Sequence, residues 1–325
     1  HPGPRSSSPQ TARSSSPQAA RPSSPQAGEK RPRSPSQNSD DLRSTQSPRV
    51  GTSSNRLRAK DLDDETREYA NCAIDIFRCD VAAVEGFPDL SKGTEMVKDA
   101  WKATCEDLGK RVLSPSIAKM ILNRAAQTRG ELKTKTRPFT EALFDSGNNK
   151  KTLAANRAKA EFLKDGFRFA FACAQDTEMK TGLYKAAIIQ KVANAMWFAN
   201  SRDEGPSHPE VFNPFPIKAL ALVLTAIENT IDEYMTGMRI DIPFTAAEYR
   251  PVYESHVKSL LLFAENGAKY QLMEKILTRI HKVGRFHSGA QPLVSATKPT
   301  ISQEVLDAAL AEYEAGGDDS DEDDD

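Results

Sequence analysis

"FNPFPIKALALVLTAIENTIDEYMTG", residues 212–237, decides the fold class. Asn213 followed by Pro214 reads as an N-cap and a first helical position. Gly237 reads as the stop. Between them Leu220, Leu222, Val223, Leu224, Ile227 and Ile231 fall on all sides of a 3.6-residue turn. A helix that is apolar nearly all round belongs inside a protein core. Its longest nearly uncharged run, 219–227, is too short to span a bilayer, so no membrane contact is expected.

The flanking sequence carries the same period. Tyr69, Ala73, Ile76, Phe77, Val81 and Val84 recur on one helical face, which Gly86 and Pro88 end. A second helix fits 94–108. Ser114 and Pro115 start a third, with Ile117, Ile121, Ala125, Thr128 and Leu132 on one side, and Pro138 kinks or stops it. Further helices fit about 152–164 and 184–198. No strand period or hairpin pair appears. The expected fold is all-α: an irregular multi-helix globular domain over 59–303 around a central apolar helix, flanked by disordered tails.

"YRPVYESHVKSL", 249–260, gathers aromatic, basic, acidic and histidine side chains in twelve positions. Tyr249, Tyr253, His256, Leu260 and Phe263 nevertheless recur at i, i+4, i+7, i+11 and i+14, the buried stripe of a helix. His256 is therefore expected to be packed and hydrogen-bonded. Thr245 and Glu248 fit a capping box, Glu254 and Lys258 a surface pair, and Pro251 divides the helix start into short turns. An enzymatic reading requires a pocket that brings His256 beside a carboxylate such as Glu228 or Asp232.

The net charge of −1 conceals an asymmetry. Residues 1–58 hold ten Arg or Lys against three acids, with almost no large apolar side chain, and cannot bury enough surface to offset their ordering entropy. They repeat every eight residues ("SSSPQTAR", "SSSPQAAR", "PSSPQAGE"), placing Ser-Pro pairs at Ser8, Ser16 and Ser24, with Ser34 and Ser47 following. Ser-Pro in extended chain suits a proline-directed kinase, and five phosphates of about −1.5 to −2 each cancel or reverse the tail's charge. "KRPR", 30–33, is a minimal nuclear-import pattern. Residues 304–325, a short helix and an acidic tail, hold eleven acids and no base, with Ser320 ahead of "DEDDD" in the context that acidophilic kinases favour.

Motif chemistry is absent. No GxGxxG, GxxxxGK[ST], HExxH, GxSxG or paired CxxC occurs, and His208, His256, His281 and His287 lack metal-ligand spacing. The acidic "DLDDE", 61–65, suits a helix N-terminus, and His281 and His287, with Lys275, Arg279, Lys282 and Arg285, a helix C-terminus. No catalytic residue, metal or cofactor is therefore expected. Cys72 and Cys79, seven apart on one helix, lie about 10 Å apart in rise alone, beyond disulfide reach. With Cys105 and Cys173 isolated, a reducing intracellular setting fits. The remaining signal is charge: residues 110–168 hold fourteen bases and five acids. Lys133, Lys135, Arg137, Lys150, Lys151, Arg157 and Lys159 cluster around a helix-loop-helix passage containing "DSGNNKK" and are the candidate polyanion-binding residues.

"AMWFANSRDEG", "HPEVFNPFPIKALALVLTAIENTIDEYMTG", "IPFTAAEYRPVYESHVKSL" and "KYQLMEKI" together resemble the C-terminal half of an uncharacterised helical domain family widespread in mushroom-forming fungi. Residues 60–150 match its N-terminal helices more loosely, and Pro251 departs from its pattern. The resemblance implies a helical fold and supplies no catalytic residue. The leading functional expectation is a non-enzymatic, intracellular, nuclear interaction module that binds a protein partner, its charged tails tuned by phosphorylation. Nucleic-acid binding through 110–168 is the alternative.

Overall fold

In a computed structural model of the chain, the described residues are 58–173, 181–291, 293 and 303–315, with backbone alone at 309 and 312–315. The serines at 8, 16, 24, 34, 47 and 320 and the basic run at 30–33 lie outside them. The helices are α1 (Asp64–Ala83), α2 (Leu90–Leu108), α3 (Pro115–Leu122), α4 (Arg124–Glu141), α5 (Lys150–Lys164), α6 (Ala187–Trp197), α7 (Glu204–Ser207), α8 (Pro209–Phe212), α9 (Ile217–Asp232), α10 (Ala246–Asn266), α11 (Leu272–His287) and α12 (Gln303–Ala315). Among the described residues no strand forms, only a single antiparallel bridge between Phe171 and Leu183.

Side-chain caps set five of the helix starts. Asp63 accepts the Thr66 amide at α1, Asp89 the Lys92 amide at α2, Ser114 the Ile117 amide at α3 and Asn149 the Thr152 amide at α5. At α10 the Thr245 hydroxyl oxygen accepts the Glu248 amide, while the hydroxyl donates to the Glu248 carboxylate. Asp89 moves the start of α2 four residues ahead of the expected position, because a capped turn forms before the apolar period begins.

Several expectations are corrected. The helix from Ser114 does not run through to Pro138: it breaks at Asn123, and α4 then continues past Pro138 to Glu141. Proline there forgoes one amide donor and crowds the Thr134 carbonyl, but only three residues of α4 follow it, so a local distortion displaces little of the helix. Pro251 likewise sits inside a continuous α10. Pro214 does not open the central helix; Phe215 is fully buried, its amide donates to the Leu277 carbonyl, and Pro216 becomes the N-cap. Val84 caps α1 and is exposed. Glu254 and Lys258 are both exposed and form no ion pair among the described residues. Cys72, Cys79, Cys105 and Cys173 are all free thiols.

The central helix is buried on all sides as expected, but it ends at Asp232 rather than at Gly237. Every side chain of α9 from Ala219 to Ile227 is at most 1 % exposed, and Thr225 satisfies its hydroxyl on the Ala221 carbonyl. Around it packs the larger core, with Trp197, Phe198, Phe212, Phe215, Tyr253 and Leu260. A smaller core joins Tyr69 and Phe77 of α1 to Met96 and Trp101 of α2 and Ile117 and Ile121 of α3. Helix α1 serves both, since Cys79 and Ala82 face the larger one. Phe198 presses so closely on Gly284 that a Cβ there would meet its ring at 2.6 Å, which seats α11 tightly on the core.

Candidate functional site

The basic segment singled out in the sequence divides three ways. Lys133, 7 % exposed, and Arg137 turn inward and share Glu233 and Asp241; Lys133 Nζ lies 3.0 Å from Glu233 Oε1, and Glu233 is 1 % exposed. Lys135 pairs with Glu131, which also takes Arg78, and Arg157 with Glu161. Lys150, Lys151 and Lys159 make no ion pair among the described residues, but at 100° per residue Lys150 and Lys159 stand on opposite sides of α5. The seven side chains therefore do not converge on one surface. Partners distant in sequence, Glu233 and Asp241, have absorbed the most buried charges.

His256 meets one of the carboxylates on which an enzymatic reading depends. Its Nε2 lies 2.9 Å from Glu228 Oε2, and Lys164 spans Glu228 and Asp232. Tyr249 donates to Asp232 Oδ2 at 2.9 Å. Burial raises the Glu228 pKa, but the hydrogen bond and charge of His256, with Lys164, outweigh it and hold the carboxyl below its ordinary value. The rings of Phe167 and Phe169 cover the imidazole, which is 2 % exposed. Neither cleft described below is lined by His256 or Glu228. The cluster is a satisfied buried network that ties α5 and α10 to α9, as the apolar stripe implies.

The surface feature with a distinct chemistry lies between α6 and α11. The chain enters through a loop folded back by left-handed backbone at Gly182 and Tyr184, φ +70° and +61°. The Ala172 amide donates to the Gly182 carbonyl, and Tyr184 packs edge-on against Phe263 at 5.3 Å. Gln190 donates to the Ile280 carbonyl, fixing α6 to α11. Between them opens a cleft of ≈ 340 Å³ floored by Tyr184, Ile189, Ile276 and Ile280. A second cleft, also ≈ 340 Å³, shares Lys185, Ile276 and Arg279 and continues past Leu183, Phe263 and Leu272.

Lys185, Lys191, Lys275 and Arg279, all exposed, edge this double cleft, and no acid among the described residues lines it. None of the four makes an ion pair among the described residues. The sequence suggested a helix-dipole role for Lys275 and Arg279, but that explanation reaches only Arg285 and His287 in the last turn. Lys275 and Arg279 are spaced i, i+4 beside Ile276 and Ile280, which is the signal that marks an apolar stripe with a basic border. The other wall comes from some ninety residues earlier, so the pairing of the two is not visible in sequence.

Comparison with known families matches residues 72–263 to DUF6532, a domain of unknown function. The chain belongs to this family. The matched span runs from within α1 to Phe263 in α10, so the DUF6532 domain supplies the 183–191 wall of the cleft while α11 lies beyond it. No curated protein and no solved structure matches the chain.

Proposed function

We propose that this DUF6532 chain is a non-enzymatic protein-interaction module whose α6–α11 cleft receives an acidic amphipathic helix. The observation that carries the reading is the set of four basic side chains, without an ion-pair partner among the described residues, around an apolar floor that no described acid lines. Helix-in-groove recognition uses an apolar face for affinity and flanking charge for orientation and encounter rate. The phosphorylatable tails, with Ser8, Ser16, Ser24, Ser34, Ser47 and Ser320, adjust the charge that competes for this rim, and a nuclear setting fits the basic run at 30–33. No helix among the described residues is long and apolar enough to cross a membrane.

The test is a fluorescence-anisotropy titration of a labelled acidic amphipathic peptide against the full chain. Binding in the micromolar range is expected, falling at least tenfold in the Lys275→Glu, Arg279→Glu double variant. Equal affinity for both proteins contradicts the reading. Mixed DNA and RNA serve as rival ligands: tighter binding of these, lost in Lys150→Glu with Lys151→Glu, transfers the function to nucleic acid.

A further inference from the structure

Helix α12 is this chain's own acidic amphipathic helix. Val305, Leu306 and Leu310 are 57 %, 44 % and 59 % exposed, and at 100° per residue they span about 140° of its surface. A thirteen-residue helix is marginal in water unless it buries such a stripe against something. Glu304, Asp307, Glu312 and Glu314 belong to the same helix, and seven of the last eight residues after it are acids.

We infer that α12 docks in the α6–α11 cleft of its own chain, its apolar side chains on Ile276 and Ile280 and its acids against Lys185, Lys191, Lys275 and Arg279. The inference rests on the reading of the cleft given above and adds its regulation. Charge complementarity is one support: the four rim bases have no carboxylate partner among the described residues, and the helix carries four acids and no base. Dimensions are another. Helix α12 is about 20 Å long, and the α11 wall from Leu272 to Val283 about 17 Å. The chain between His287 and Gln303 can extend to roughly 50 Å, so α12 can reach the cleft in either direction.

The tether also selects the occupant. A short linker holds α12 near its own cleft at an effective concentration in the millimolar range, above that of any second copy at micromolar protein. An incoming acidic helix must then displace α12, which makes the tail a competitive latch. Phosphate at Ser320 adds charge of the sign the rim attracts and closes the latch further.

Three measurements on the full chain test this, each on wild type and on Leu306→Asp with Leu310→Asp, which alters exposed positions. Hydrogen exchange is expected to show α12 amides at least tenfold slower than unfolded chain in wild type, and within about twofold of it in the variant. A labelled peptide of residues 303–325 is expected to bind the variant at least tenfold more tightly than wild type. Unprotected α12 in wild type, or peptide binding of equal strength to both proteins, overturns the latch and leaves the cleft as a site for other helices. Absence of peptide binding to either protein overturns the cleft reading itself. A wild-type dimer by light scattering that the variant dissolves places α12 in a neighbour's cleft and overturns docking within one chain.

Discussion

Glu233, 1 % exposed among Lys133, Arg137 and Arg239, shows how single residues hold this fold. Its replacement by Ala removes the buried carboxylate that Lys133 and Arg137 share, with Asp241 still beside both, and is expected to lower the unfolding free energy by about 1.5–3 kcal/mol in urea titrations. Asp80 acts in the opposite sense. Burial, with the charge of Asp99, pushes its carboxyl up to about 6 from 3.8, against a smaller opposing effect of Lys92. The native state therefore binds this proton more tightly than the unfolded chain, and stability falls as pH rises from about 3.8 to about 6. Asp80→Asn removes that penalty. After discount for solvent screening, a gain on the order of 1 kcal/mol is expected at pH 7 and none at pH 3, read as the pH dependence of the denaturation midpoint.

At the scale of elements, two glycines make opposite predictions. Gly130 lies in the middle of α4 with open space where a Cβ would stand, so Gly130→Ala is expected to stabilise by about 0.5–1 kcal/mol. Gly237 has φ +88° after the turn that ends α9, and a Cβ would meet the Leu153 carbonyl oxygen at 2.1 Å. Gly237→Ala is expected to cost about 2–4 kcal/mol by thermal or chemical denaturation. Periodicity made the helices legible, including the buried stripe of α10 and the all-round apolar α9, because helix burial depends on spacing within one segment. The break at Asn123 was not legible, because the apolar period continues across it; nor was the start at Pro216, because two prolines compete and only packing of Phe215 chooses. Long-range pairing escaped for a related reason. Lys133 reads as a surface base until Glu233, a hundred residues later, is placed beside it.

At the scale of the whole molecule, the charge asymmetry seen in the sequence gains a location. Part of the basic segment 110–168 is neutralised by carboxylates of the fold, Lys133 and Arg137 most deeply, while the bases that stay unpaired among the described residues include Lys150, Lys151 and Lys159 and the four around the α6–α11 cleft. Acidic surplus concentrates in 304–325. If these two attract, affinity follows the sign of the rim. The most direct test is a charge-swap cycle by fluorescence anisotropy on the Leu306→Asp, Leu310→Asp chain. It pairs wild-type rims, or rims with Lys185, Lys191, Lys275 and Arg279 all changed to Glu, with a 303–315 peptide or a version of it carrying Lys at positions 304, 307, 312 and 314. Both mismatched pairs, like charge facing like, are expected to bind at least tenfold more weakly than the native pair, and the doubly swapped pair to regain most of that loss. Affinity indifferent to rim charge, or no recovery in the doubly swapped pair, would contradict the cleft as the site of acidic-helix capture.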